Sequence, residues 1–137
     1  MTLWKFNCYK TASGGEPVDD WYASLPAKAQ AKLDTLIEHF KDLPHTKWGS
    51  NYLDDLTGYE DIFEIRFSSN RIVYRPLGFF GPGRGEFTFL IGAREHGDRF
   101  EPVTAPDTAR DRMGDVRRNK ELAHECSFTK EDTEEAD

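Results

Sequence analysis

The chain has 137 residues, 37% of them hydrophobic and 13% aromatic, enough for one domain with a modest core and too apolar for global disorder. Its formal net charge of -7 argues against a simple nucleic-acid binder, which is ordinarily basic. No apolar run approaches the roughly 20 residues of a membrane span, and MTLWKFNCYK lacks a secretory leader's charged start and long apolar centre, so a cytoplasmic location with no membrane partner is expected.

Leu3 to Tyr9 alternates weakly and predicts a first strand, with Trp4, Phe6 and Cys8 on one side. Thr11 to Gly15 breaks the chain, and Val18 to Leu25 predicts a short helix. Pro26 opens a second helix, where its missing N–H is harmless. From Ala27 to Leu43, the residues Ala29, Leu33, Leu36, Ile37, Phe40 and Leu43 form one apolar stripe, and Pro44 stops the helix. Trp48 to Glu60 reads as an irregular connector clipped to the core by Leu53 and Leu56.

Three strand-like runs follow, carrying six arginines and a histidine. In the first, Phe63, Ile65 and Phe67 share one face and Glu64 and Arg66 the other. Ser68-Ser69-Asn70 supplies a polar turn, so the run from Arg71 to Phe80 folds back as a hairpin. Arg71 and Arg75 then stand about two pleats apart, roughly 13 Å along the strand, a span that brackets a nucleotide backbone. The loop GPGRG leads into the third run, Glu86 to Arg94, and Arg94, Glu95 and His96 follow its end, a common place for functional groups.

Thr104 and Pro106 suit the cap and first turn of a last helix reaching roughly Leu122. The domain is expected to occupy residues 1–124, leaving 125–137 as an acidic, disordered tail. Residues 120–137 hold seven acids against two lysines, whereas residues 62–100 hold six arginines against four acids. The sheet is thus locally basic and the tail acidic, the asymmetry that matters for steering an anion.

Cys8 and Cys126 have no metal-site spacing and read as reduced bystanders. His39, His45 and His124 also lack ligand spacing, so neither a metal nor another cofactor is expected. Phe67 and Tyr74 fall on apolar strand faces and read as core, as do Phe79, Phe80, Phe87 and Phe89. For each arginine the competing reading is an ordinary ion pair, such as Arg66 with Glu86 across a strand.

The order strand, helical hairpin, connector, three-stranded meander and C-terminal helix resembles the RelE/ParE toxin superfamily, most closely its phage-derived HigB-like branch. The similarity covers about residues 3–118. It is carried by Leu53 and Leu56, by FEIRFSSNRIVYRPLG in the meander, and by the strand ending LIGAREHG. The resemblance implies an α+β, RelE-like fold: a mainly antiparallel sheet of about four strands, an N-terminal helical hairpin and a C-terminal helix.

It also implies the toxin of a type II toxin–antitoxin system, a ribosome-dependent endoribonuclease that cuts messenger RNA and is restrained by a cognate antitoxin protein. A ribose 2′-OH attacks the adjacent phosphorus to give a 2′,3′-cyclic phosphate, which requires proton transfer and cations for the phosphorane, with no metal. Carried over by position, Arg71 and Arg94 are the expected clamps of the scissile phosphate, with Arg66, Arg75 and Arg99 as further RNA contacts. His96, an imidazole and so a side chain suited to proton transfer at neutral pH, is the expected acid–base group. The departure from HigB-like toxins lies at Ala93 to Asp98, where those usually show lysines. Two alternatives use the same fold: a ParE-like gyrase inhibitor that is not a nuclease, and a catalytically inactive phage or prophage module that binds protein.

Overall fold

The computed structural model describes residues 2–129. It is an α+β protein of three helices and ten short strands arranged in two sheets. The strands are β1 (Lys5–Tyr9), β2 (Leu53–Asp55), β3 (Phe63–Ile65), β4 (Phe67–Ser69), β5 (Ile72–Tyr74), β6 (Leu77–Phe80), β7 (Glu86–Ile91), β8 (Arg94–His96), β9 (Arg99–Glu101) and β10 (Ala123–Glu125). The helices are α1 (Pro17–Ala23), α2 (Ala27–Phe40) and α3 (Ala105–Arg118).

A six-stranded sheet runs β10-β1-β7-β6-β3-β2, and a four-stranded one runs β4-β5-β8-β9. This corrects the expectation of about four strands. The three predicted meander runs exist, but each is creased into two strands, at Arg66, at Arg75–Pro76 and at Gly92–Ala93. Two local causes are visible. Pro76 has no N–H to give to a ladder, and Gly92 carries no side chain, so that the Trp21 ring occupies the space a Cβ would fill. The sheet is also mixed, since β1 pairs in parallel with β7 and antiparallel with β10.

β1 is interior, and Phe6, Asn7, Cys8 and Tyr9 are all buried, which masks the alternation that an edge strand would show. On one side lie α1 and α2. The predicted α2 stripe points inward, with Ala29, Leu33, Ile37 and Phe40 buried and Leu36 and Leu43 packed against the core. Phe40 stacks on Trp48 with ring centroids 4.5 Å apart, and Trp48 packs on Phe6, Phe80 and Phe87. On the other side α3 buries Ala105, Ala109, Met113 and Val116, one face at helical spacing. Tyr9 donates to Asp115 of α3 at 3.0 Å, and Arg112 donates to the Leu90 carbonyl at 2.9 Å while lying over the Tyr9 ring. Burial lowers the pKa of Arg112, and burial, then the bond to Asp115, raises that of Tyr9.

Two further expectations change. The connector contains a strand, β2, paired with β3 through Leu53 and Ile65. The last helix ends at Arg118, and a 3-10 turn over Lys120–Leu122 delivers the chain to β10. Residues 125–129 therefore belong to the domain rather than to a tail: Phe128 stacks on Tyr22 at 4.0 Å, and Ser127 bonds to Asp19. Residues 130–137, the rest of the predicted tail, lie outside the described residues. Cys8 and Cys126 form a disulfide with their Cα atoms 4.9 Å apart, so they are not the reduced bystanders expected. Folding sets side by side two positions 118 residues apart, which spacing does not reveal. No helix of the described residues is long and apolar enough to cross a membrane.

Gly78 of β6 is closely packed. A Cβ there would strike the Thr88 carbonyl oxygen and meet the Phe87 ring at 2.7 Å, and Phe87 is fully buried. Gly78→Ala is expected to destabilise the domain by about 2 kcal/mol through overpacking. Urea unfolding that gave the same midpoint for both proteins would overturn this.

Candidate functional site

The crease between the sheets places one acid between two arginines. Glu64 is only 3% exposed. Arg75 donates to Oε1 at 2.6 Å through Nη2, and Arg66 reaches Oε2 at 2.9 Å. The Arg75 guanidinium also lies over the Phe100 ring, 3.9 Å from its centroid, with Glu95 at 3.8 Å. The alternation puts Glu64 and Arg66 on one side of the strand, where Arg75, itself under Phe100 of β9, also meets Glu64. Arg66 therefore pairs with Glu64 and not with Glu86, whose carboxylate accepts from Asn7 and from the Gly83 N–H.

Arg71 is not on a strand. Asn70 and Arg71 form the two-residue turn of the β4–β5 hairpin, closed by Ser69 opposite Ile72, and both have left-handed φ values, 54° and 70°. Such turns favour residues that tolerate positive φ at both positions, and Asn70 is one of them. Arg71 is exposed and makes no ion pair among the described residues.

Arg94 sits on β8 opposite Tyr74, and β8 turns through Gly97-Asp98 into β9 so that His96 faces Arg99. The antiparallel register brings this turn to the same end of the four-stranded sheet as the Arg71 turn. Glu101 organises the hairpin. Its Oε1 lies 3.6 Å from Arg94 Nε and 3.5 Å from His96 Nδ1, and His96 Nε2 has no partner among the described residues. The His96 side chain is 77% exposed. Arg99 is exposed and makes no ion pair among the described residues.

Two cations that sequence reasoning missed join this end. Lys28 and Lys32 of α2 line an open depression of about 390 Å³ with Ala31, Ser68, Ser69 and Asn70, beside the Arg71 turn. They fall at i and i+4 on the exposed side of the α2 stripe, a signal the sequence does contain. That this side meets β4 is a fact of tertiary packing. Lys28 and Lys32 thus lie beside the Arg71 turn at the β4 edge, Arg94, His96, Arg99 and Glu101 occupy the β8–β9 hairpin at the other edge, and Arg66 and Arg75 are held by Glu64.

No protein-family model matches the chain, and no curated protein or solved structure matches it.

Proposed function

We propose that the protein is an RNA-cleaving toxin of the RelE/ParE type, acting on messenger RNA at the ribosome and restrained by a cognate antitoxin in the cytoplasm. The observation that carries this reading is that the Arg71 turn, with Lys28 and Lys32 beside it, and the β8–β9 turn flanked by His96 and Arg99 lie at one end of the four-stranded sheet, with Arg94 two residues along β8. The element order supports it too: a strand, a helical hairpin, a meander and a helix.

The chemistry follows from the groups. Arg71 and Arg99, free of carboxylates, bind non-bridging phosphate oxygens, and the lysines track the neighbouring backbone. Arg94 stabilises charge on the phosphorane, released in part from Glu101 as the phosphate arrives. His96, whose Nδ1 lies 3.5 Å from Glu101, takes the 2′-OH proton with Nε2 as the oxygen attacks phosphorus, and the P–O5′ bond breaks with the 5′-oxygen taking a proton from water. An antitoxin that covered this end of the sheet would meet cations and would itself be acidic there.

A second reading is a non-enzymatic module that binds protein, favoured by one observation: Glu64, Glu95 and Glu101 lie against Arg66, Arg75, Arg94 and His96 and dilute the charge. Primer extension on a reporter messenger in a bacterial cell-free translation reaction separates the two. New 5′ ends that require translation are expected with the wild-type chain. Arg71→Ala with Arg94→Ala is expected to reduce them by roughly 10²-fold or more, whereas Arg84→Ala, in the β6–β7 loop, leaves them. Intact messenger with the wild-type chain would discard the nuclease. Inhibition of gyrase supercoiling would then favour the ParE-like alternative, and no effect on either would favour the protein-binding module.

A further inference from the structure

Where the N-terminal and C-terminal parts of the chain meet, a half-buried histidine and a buried aspartate face each other without a hydrogen bond. The Asp19 side chain is 7% exposed and that of His124 25%. Asp19 Oδ2 and His124 Nε2 approach to 3.1 Å, yet each is a buried polar atom with no hydrogen-bond partner among the described residues. The other oxygen of Asp19 is fully used, accepting from the Ser127 N–H and hydroxyl, both at 2.9 Å. Glu16, exposed at the head of α1, completes a trio whose ligand atoms lie within 4.8 Å of one another.

An ordinary imidazolium–carboxylate pair would align its N–H on the oxygen, because a buried polar atom left unpaired is costly. These two atoms instead come close without that alignment, as two ligands do when they share a third body. At Zn–ligand bonds of about 2.0–2.1 Å, neighbouring ligands of a tetrahedral ion stand about 3.3 Å apart, near the separation observed. One imidazole with two carboxylates suits a borderline divalent ion, and the partial exposure of His124 with the full exposure of Glu16 leaves an entry path and a place for water.

We propose that Glu16, Asp19 and His124 bind one divalent transition-metal cation of the Zn²⁺ class. The ion ties the head of α1 to β10, beside the Cys8–Cys126 bond. The role is structural and independent of RNA cleavage, since none of the three residues belongs to the arginine end of the four-stranded sheet. Sequence spacing hides the site, because Asp19 and His124 are distant in the chain and only the β1–β10 pairing brings them together.

The test uses the full-length, untagged, oxidised chain, freed of metal by chelation and titrated with Zn²⁺ in a calorimeter. One equivalent is expected to bind, and a hundredfold excess over Kd raises the melting temperature by about 5–10 °C. Substituted Co²⁺ should show the visible absorption of a tetrahedral ion. His124→Gln and Glu16→Gln are each expected to weaken binding at least roughly 10-fold. Glu16 makes no capping hydrogen bond, so its variant keeps the fold and remains informative if His124→Gln does not. Absence of stoichiometric binding to the wild-type chain, binding unchanged in Glu16→Gln, or binding lost instead in His96→Gln would each overturn the proposal.

Discussion

Opening the Cys8–Cys126 bond, by replacing both cysteines with alanine, is expected to lower the stability of the domain by about 4 kcal/mol. The bond joins residues 118 apart, so it closes nearly the whole described chain into one loop. Loop-closure entropy for about 100 residues gives about 4.7 kcal/mol, and native disulfides of small domains usually contribute 2–5 kcal/mol. Alanine is the right replacement because both sulfurs are fully buried and a serine hydroxyl there would lack a partner.

Without the tie, β10 depends on its pairing with β1, on Asp19 holding Ser127, and on Phe128 stacked on Tyr22. Urea unfolding of the oxidised wild type and the double variant should show a midpoint lower by about 2 M in the variant at a typical m-value. A loss below about 1 kcal/mol would mean that these contacts hold the segment unaided. Disulfides persist in oxidising surroundings and are rare where thiols are kept reduced. In a cytoplasm the domain would therefore rest on the weaker set of contacts, and dithiothreitol should reproduce the variant's midpoint.

Local patterns in the sequence reached the helices and the strand runs, because each buries a face at its own period. The stripe from Ala29 to Phe40 is a case in point, whereas the last helix is placed by Thr104 and Pro106 and ends at Arg118, short of the expected Leu122. Phe67 and Tyr74 are buried and stacked at 5.1 Å, as their strand faces imply. The creases were written in Pro76 and Gly92 but could not be told from continuous strands by alternation alone. Alternation also says which residues share a face without saying what packs there, and here Arg75, itself under Phe100, closes on Glu64 and leaves it buried while Arg66 stays half exposed. The hairpin was legible in the polar run ending at Asn70, but Arg71's place in the turn was not, since glycine is the usual partner of asparagine there. The disulfide, the lysines beside Arg71 and the Asp19–His124 pair all depend on contacts between elements far apart in the chain.

Glu64→Gln is expected to cost the domain about 3 kcal/mol and, at the same time, to strengthen its hold on RNA. Removing one partner of a buried ion pair ordinarily costs 3–5 kcal/mol, since the remaining charge stays desolvated. The lower end applies here because Arg66 is 48% exposed and recovers water, while Arg75, at 14%, does not. Replacing Arg75 with methionine in the same chain removes the stranded charge and keeps a contact on Phe100, so the double variant should regain much of the lost stability. Binding should behave differently. Glu64 occupies two guanidinium groups, and neutralising it frees them for phosphates. The slope of log affinity against log salt concentration on single-stranded RNA should then steepen by roughly 0.7 for each arginine that reaches a phosphate. Lost stability with an unchanged slope would confine RNA contact to Lys28, Lys32, Arg71, Arg94 and Arg99. Unchanged stability would mean that Glu64 does not hold the crease between the two sheets. If both effects occur, Glu64 trades anion affinity for a rigid junction, and Arg66 and Arg75 are then latent members of the RNA surface.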